Sequence, residues 1–201
     1  MGIIQEMKND LKSLSSVDIM LAVVFGVIAR LYMVVGSPLI NVIAPAAGPL
    51  GYLVAGVLLL PPLYWILILV IAIRSNGFTG WLAAMFMSAL RLFTGDPFGA
   101  IAMQAYAIGP LLAWISFAAF KYKRTKVAWV VSAFVWGYTV DLIFGLYRGI
   151  WPVFGSYLLG HVWFAFTRVL QALIVGLVLY GIIPSLMKIE ALRGMMVVKG
   201  Q

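Results

Sequence analysis

The stretch Leu50–Ile73, LGYLVAGVLLLPPLYWILILVIAI, runs for 24 residues without one charged side chain. At about 1.5 Å of rise per residue a helix of this length reaches about 36 Å, enough to cross a hydrocarbon core of roughly 30 Å. Inside lipid no water takes up free backbone N–H and C=O groups, so an isolated spanning segment closes its hydrogen bonds within itself as a helix. Pro61-Pro62 in the middle of the run predicts a kink or a break, because proline has no N–H and its ring clashes with the preceding turn.

The rest of the chain obeys the same ruler. Apolar residues make up 64% and charged residues 10% of 201, with mean hydropathy +1.08. A soluble domain holds about 45–50% apolar and about 25% charged residues. The expected architecture is an all-α integral membrane bundle of about six transmembrane helices, in a single domain over 1–201. Residues 1–16 read as an amphipathic segment lying on the membrane surface, with Ile3, Ile4, Met7, Leu11 and Leu14 at helical spacing. Helices are expected at about 17–35, 50–73, 78–94, 98–120, 127–147 and 156–183. Ser15 and Asp18 form a capping-box pattern at the start of the first. The charge-free segment 36–49 reads as a loop and a lid, Gly109-Pro110 as a kink, and Pro184 as the end of the last helix. The first apolar run is too long for a cleavable signal peptide and lacks a small-x-small site.

Charge supplies the orientation. Lys and Arg gather on the cytoplasmic side of membrane proteins. Alternating the loops puts Lys8, Lys12, Arg74, Lys121, Lys123, Arg124, Lys126, Lys188, Arg193 and Lys199 on one side, and only Arg148 on the other. Both termini are therefore expected in the cytoplasm of a multi-pass plasma-membrane protein. The net charge of +8 becomes a topology signal, and nucleic acid is not an expected partner. There is no cysteine and one histidine, so neither a metal nor a cofactor is expected.

Charges within the hydrocarbon cost about 2.5–3.5 kcal/mol on insertion scales and mark function. By depth, most of Arg30, Arg91, Gln104, Asp141, His161 and Arg168 fall in one half of the bundle, away from the basic side, with Arg168 near the midplane. Tyr106, Tyr138 and Trp163 add rings at similar depth. The combined reading is a polar, aromatic-lined cavity open toward the outside. Plainer roles stand beside it. Arg91 and Arg148 suit snorkelling to headgroups. Arg30 or Arg168 suits an internal ion pair with Asp141. His161 suits an interfacial packing role, and Asp96 suits a turn. Three arginines against Asp141 leave positive charge that fits a carboxylate or phosphate better than a cation. Enzyme constellations are not visible: there is no Gly-x-Ser-Gly, no pair of intramembrane aspartates and no nucleotide-binding glycine loop.

Three runs carry a family resemblance. Ala22-Val-Val-Phe-Gly26-Val, Ser88-Ala-Leu-Arg-Leu-Phe-Thr-Gly-Asp-Pro-Phe-Gly99 and Phe117-Ala-Ala-Phe-Lys-Tyr-Lys123 resemble the substrate-binding S components of energy-coupling-factor (ECF) transporters. The closer likeness is to their YkoE-type branch, associated with thiamine and its hydroxymethylpyrimidine precursor. The resemblance covers roughly residues 17–150. It implies a subunit of an ATP-driven micronutrient importer, not an enzyme. Such a subunit captures a vitamin or its precursor and works with a transmembrane coupling subunit and two ABC-type ATPases. It also implies that small residues four apart on the first helix, here Ala22 and Gly26, serve as the docking face for the coupling subunit. An acidic residue is expected in this branch near Ser88 or Trp114, and neither position is acidic. A thiamine-related pyrimidine and an anionic vitamin are therefore both open as substrates. A small membrane-embedded enzyme or assembly factor is the alternative from another class.

Overall fold

The computed structural model describes residues 2–148, 157–190 and 194–197. The side chain of Arg148, residues Trp151, Pro152 and Ser156, and the basic residues Arg193 and Lys199 lie outside the described residues. Among these residues eight α-helices follow in order: α1 Ile3–Lys12, α2 Ser16–Ala46, α3 Gly48–Val54, α4 Pro61–Arg74, α5 Gly77–Phe93, α6 Gly99–Ala119, α7 Lys126–Arg148 and α8 Tyr157–Leu186. No strand occurs among the described residues. Five segments are long and apolar enough to cross a membrane: α2, the α3–α4 unit, α6, α7 and α8. The apolar α5, at 17 residues, sits at the lower limit of about 17 for a spanning helix. The protein is an all-α membrane bundle.

The prolines decide where the helices break and where they do not. Between α3 and α4 the chain widens into a π-helical turn, Ala55–Leu59, in which the Leu60 N–H reaches back five residues to the Ala55 carbonyl at 3.1 Å. Pro61 and Pro62 open α4, where their missing N–H groups cost least. The hydroxyl of Tyr32 on α2 donates to the freed Leu59 carbonyl. The expected loop 36–49 is instead helical as far as Ala46, with Pro38 and Pro45 inside α2. Pro184 likewise lies inside α8 and does not end it. Both corrections share a cause. A proline removes one hydrogen bond, but leaving the helix in an apolar medium exposes several backbone groups with no water to receive them.

α4 fills the centre. Leu63, Tyr64, Leu67, Ile68, Val70, Ile71, Ala72 and Ile73 are all at most 3% exposed, the pattern of a helix surrounded on every side. Around it α2 packs on α5, α5 on α6, α6 on α7 and α7 on α8. Small residues set the close approaches. A Cβ added at Gly26 would meet the Ala83 carbonyl oxygen at 2.7 Å, and one at Gly176 would meet the Val130 backbone at 2.7 Å.

The basic end of the bundle is tied by two aspartates. Ser15 and Asp18 form the expected capping box at the start of α2, and Asp18 also receives Arg74 from α4, Nε to Oδ1 at 2.6 Å. Arg74 further donates to the Met195 carbonyl, while the Val197 N–H bonds the Ile73 carbonyl at 2.9 Å. Asp10 is fully buried. Its carboxylate accepts from Trp114 Nε1 at 2.7 Å and from the Tyr122 hydroxyl, and its carbonyl accepts from Asn76. The expected surface segment 1–16 thus holds a helix pinned to α5 and α6, with only Ile3, Ile4 and Leu11 left as exposed apolar side chains. Lys121 and Tyr122 both take left-handed backbone angles, which costs about 1–2 kcal/mol per residue. The Tyr122 hydroxyl bonds to Asp10 and to the Gly77 N–H offset part of that cost.

The packing at Gly26 has a measurable consequence. Gly26→Ala should lower stability by about 1–3 kcal/mol, because the obstructing atom is rigid backbone. Gly181→Ala, where a Cβ meets nothing within 4 Å, should be neutral or stabilise by up to about 1 kcal/mol through helix propensity. Thermal melting of the two variants in detergent checks the contrast.

Candidate functional site

At the end of the bundle remote from the basic cluster, two groups of polar side chains face a chain of cavities. The first group is built on the α5–α6 turn. Arg91, on the last turn of α5, places Nε 3.0 Å from Asp96 Oδ2 and Nη2 3.3 Å from Oδ1. Arg30 of α2 reaches the same carboxylate at 3.4 Å and donates to Thr94 Oγ1 at 2.7 Å. Asp96 also accepts from the Phe98 N–H at 2.9 Å, so it is the expected turn residue and a double ion-pair partner as well. Burial by itself raises the Asp96 carboxyl. Hydrogen bonds from Arg91 and Phe98 and the two guanidinium charges outweigh that, and its pKa lies below the ordinary value.

The second group lies deeper. Asp141 of α7 pairs with Arg168 Nη1 of α8 at 3.0 Å and accepts from the Tyr64 hydroxyl of α4 at 3.3 Å. Arg168 also donates to Gln171 Oε1 and lies 4.8 Å over the Phe164 ring. Its guanidinium rests against the π-helical turn because residue 56 is glycine, where a Cβ would meet Thr167 Cγ2 at 2.7 Å and Nη1 of Arg168 at 3.0 Å. Arg168 Nε and Gln171 Nε2 are buried donors without a partner.

Three adjoining cavities join the groups. The outermost, about 370 Å³, lies between α2 and the turn, with Arg30, Asn41, Asp96 and Phe98 on its walls. Met33, Ser37, Asn41 and Phe98 are shared with a second space of about 80 Å³, which Arg91, Tyr106, Asp141 and Phe144 also line. Ile40, Leu60, Asp141 and Phe144 are shared in turn with a third, about 60 Å³, that reaches Tyr52, Gly56 and Arg168. The Arg91 guanidinium lies 5.7 Å from the Phe144 ring centre, and Tyr106 meets the same ring edge-on at 6.4 Å. Three arginines and two aspartates on these walls leave one net positive charge. Small neutral or singly anionic molecules with an aromatic face suit such a lining.

The structure brings Arg30, Arg91, Tyr106, Asp141 and Arg168 onto these cavities and leaves the other expected side chains off them. Gln104 is exposed and accepts from the Tyr147 hydroxyl at 2.5 Å. Tyr138 stacks on Phe134 at 5.3 Å. Trp163 donates to the Pro49 carbonyl at 3.0 Å, tying α8 to α3. His161 is exposed and lines none of the three spaces. Equal depth does not imply a shared face, and these four point elsewhere around their helices. Ala22 is fully buried and Gly26 faces α5, so the small-residue face assigned to docking is occupied by the protein itself. The segment expected as a loose lid is the helical α2 wall, which contributes Ser37, Ile40 and Asn41. Sequence reasoning missed Tyr64, Phe144, Asn41 and Gln171. A five-residue separation of Arg91 and Asp96 across a turn was the available signal for the Asp96 pairing.

Two measurements follow. Removing Arg168 leaves the partly buried Asp141 without its counter-charge, so Arg168→Ala should cost up to about 3–5 kcal/mol, and the double variant Asp141→Asn/Arg168→Gln should cost less than the sum of its single changes. A double-mutant cycle on melting in detergent reads this coupling. Because the native pKa of Asp96 is depressed, its pairing stabilises above the unfolded carboxylate pKa of about 4 and is lost as pH falls through the lower native value. Melting temperature followed from about pH 7 to about pH 3 should fall more steeply for the native chain than for Asp96→Asn. Comparison of the chain with protein-family models, with curated proteins and with solved structures finds no match.

Proposed function

We propose that this membrane protein is the substrate-capture subunit of an ATP-driven micronutrient importer of the energy-coupling-factor type, with a thiamine-related pyrimidine as its substrate. The observation that carries the reading is the chain of cavities from Arg30 to Arg168, with Asp141 and Phe144 at the junction of its two inner spaces. An aminopyrimidine presents an N–H donor beside a ring-nitrogen acceptor. Asp141 supplies the matching acceptor, and Arg91 or the unpartnered Arg168 Nε supplies the donor. Phe144 and Tyr106 offer aromatic surface to the ring. The net positive lining favours a second substrate class, an anionic vitamin held by the arginines. On this reading the basic end faces the cytoplasm of a plasma-membrane protein, where a transmembrane coupling subunit and two ABC-type ATPases would join it. With Ala22 buried and Gly26 packed against α5, docking falls to the exposed apolar face of α2, which includes Ile19, Val27, Leu31 and Val34.

Tryptophan fluorescence of the purified protein tests the proposal. Hydroxymethylpyrimidine, thiamine and a panel of carboxylate vitamins are titrated separately. Saturable quenching at submicromolar pyrimidine is expected, weakened by about ten-fold or more in Asp141→Asn, the equivalent of about 1.4 kcal/mol. Saturation by a carboxylate vitamin, with loss in Arg91→Gln, moves the assignment to the anionic class. Silence across the panel from folded protein overturns the capture role.

A further inference from the structure

A separate cavity of about 280 Å³ lies at the basic end, between the α6–α7 connection, the first turn of α7 and the last turns of α8. Arg124, Trp129, Tyr180, Gly181, Ile183 and Pro184 line it, and none of these is acidic. Arg124 belongs to the sequence run Lys121, Lys123, Arg124 and Lys126, and no acidic residue occurs between Asp96 and Asp141. Two donors here lack acceptors. Trp129 is 5% exposed, and its indole N–H is buried without a partner; Arg124 Nη2 is in the same condition. Arg124 Nη1 rests against the Met187 sulfur, a weak acceptor, and no ion pair to the guanidinium occurs among the described residues. Burial accordingly pushes the Arg124 pKa below its ordinary value. A Cβ at Gly181 would meet nothing within 4 Å, and the neighbouring Leu177 and Tyr180 are exposed, so the cavity adjoins an open, apolar stretch of the α8 surface. Lys126 Nζ stands 5.5 Å from the Tyr180 ring at its rim.

Buried donors each cost about 1–3 kcal/mol while unpaired. They call for an anionic acceptor, and the exposed apolar surface of α8 beside them suits a hydrocarbon chain attached to it. We infer that this cavity binds the phosphate of an anionic phospholipid, with Arg124 and the Trp129 N–H on the phosphate oxygens and an acyl chain along Gly181 and Leu177. Arg124 supplies a forked donor suited to phosphate, and Lys126 adds the attraction of a basic residue at a leaflet surface. The site is independent of the transport reading, since none of its residues touches the cavities at the opposite end.

Native mass spectrometry of the full chain, exchanged into detergent with phosphatidylglycerol or phosphatidylcholine, tests it. Phosphatidylglycerol should remain bound where phosphatidylcholine is lost. Its retention should fall about ten-fold or more in Arg124→Gln and in Trp129→Phe, the loss expected for one hydrogen bond to a charged group. Trp129→Phe keeps the ring and the packing, and Lys8→Gln on α1 controls for loss of surface charge. Equal retention of the two lipids, or variants that hold phosphatidylglycerol as well as Lys8→Gln does, overturns the site. Displacement of the lipid by millimolar inorganic phosphate overturns the lipid assignment and gives the cavity to a soluble anion.

Discussion

A carboxylate carried into hydrocarbon has to find a donor, and the whole bundle is organised around four that do. Asp10 joins α1 to α6 through Trp114; Asp18 joins α2 to α4 through Arg74. Asp96 ties the α5–α6 turn to α2 through Arg30, and Asp141 joins α7 to α8 through Arg168. Between membrane helices apolar contact supplies little driving force beyond close packing, because lipid tails are as apolar as leucine. Ridges of Leu and Ile can slide past one another by a turn at small cost. A charge pair cannot, since slipping one turn leaves both members unpaired in a medium of low dielectric. These pairs therefore set the register of the helices, and the glycine contacts at Gly26 and Gly176 then set how closely they lie.

The four anchors divide into two ends with different surroundings. Asp10 sits among tyrosine and tryptophan donors and Asp18 among Arg74, Ser15 and Thr79 in packed protein, and their polar atoms are consumed by structure. Asp96 and Asp141 stand on cavity walls, with arginines that keep unused donors: Arg30 Nε and Arg168 Nε are both buried without a partner. Capacity left over after structural pairing is what separates a binding surface from a brace.

The fold was legible because the bilayer imposes one ruler. Counting uncharged residues located the spans and placed the break at Pro61-Pro62. The two errors of extent, at 36–49 and at Pro184, came from treating proline as it behaves in water, where a broken helix can be solvated. The site was less legible. Depth along a helix follows from counting residues, and Arg30, Arg91 and Asp141, grouped by depth, lie together on the cavity walls. The angle around the helix depends on tertiary packing, so Gln104, Tyr138, Trp163 and His161 were placed on a wall they do not face. Tyr64 was hidden for a related reason: in a uniformly apolar α4, no pattern marks the one hydroxyl that turns toward Asp141. Asp96 looked like a turn residue because it is one, and the second role needed Arg30 from 66 residues away.

The length of α2 sets a mechanical condition on the cavity beside it. Its 31 residues make a rod of about 46 Å, against a hydrocarbon thickness of about 30 Å. A rod that long must lean or stand clear of the lipid. One end is clamped where Asp18 meets Arg74, and the other carries Ser37, Asn41 and the mouth wall. Between them Arg30 and Tyr32 tie α2 to the α5–α6 turn and to the Leu59 carbonyl, so the wall is the short arm beyond those ties, and a change in its tilt is delivered to the gap between Asn41 and Phe98.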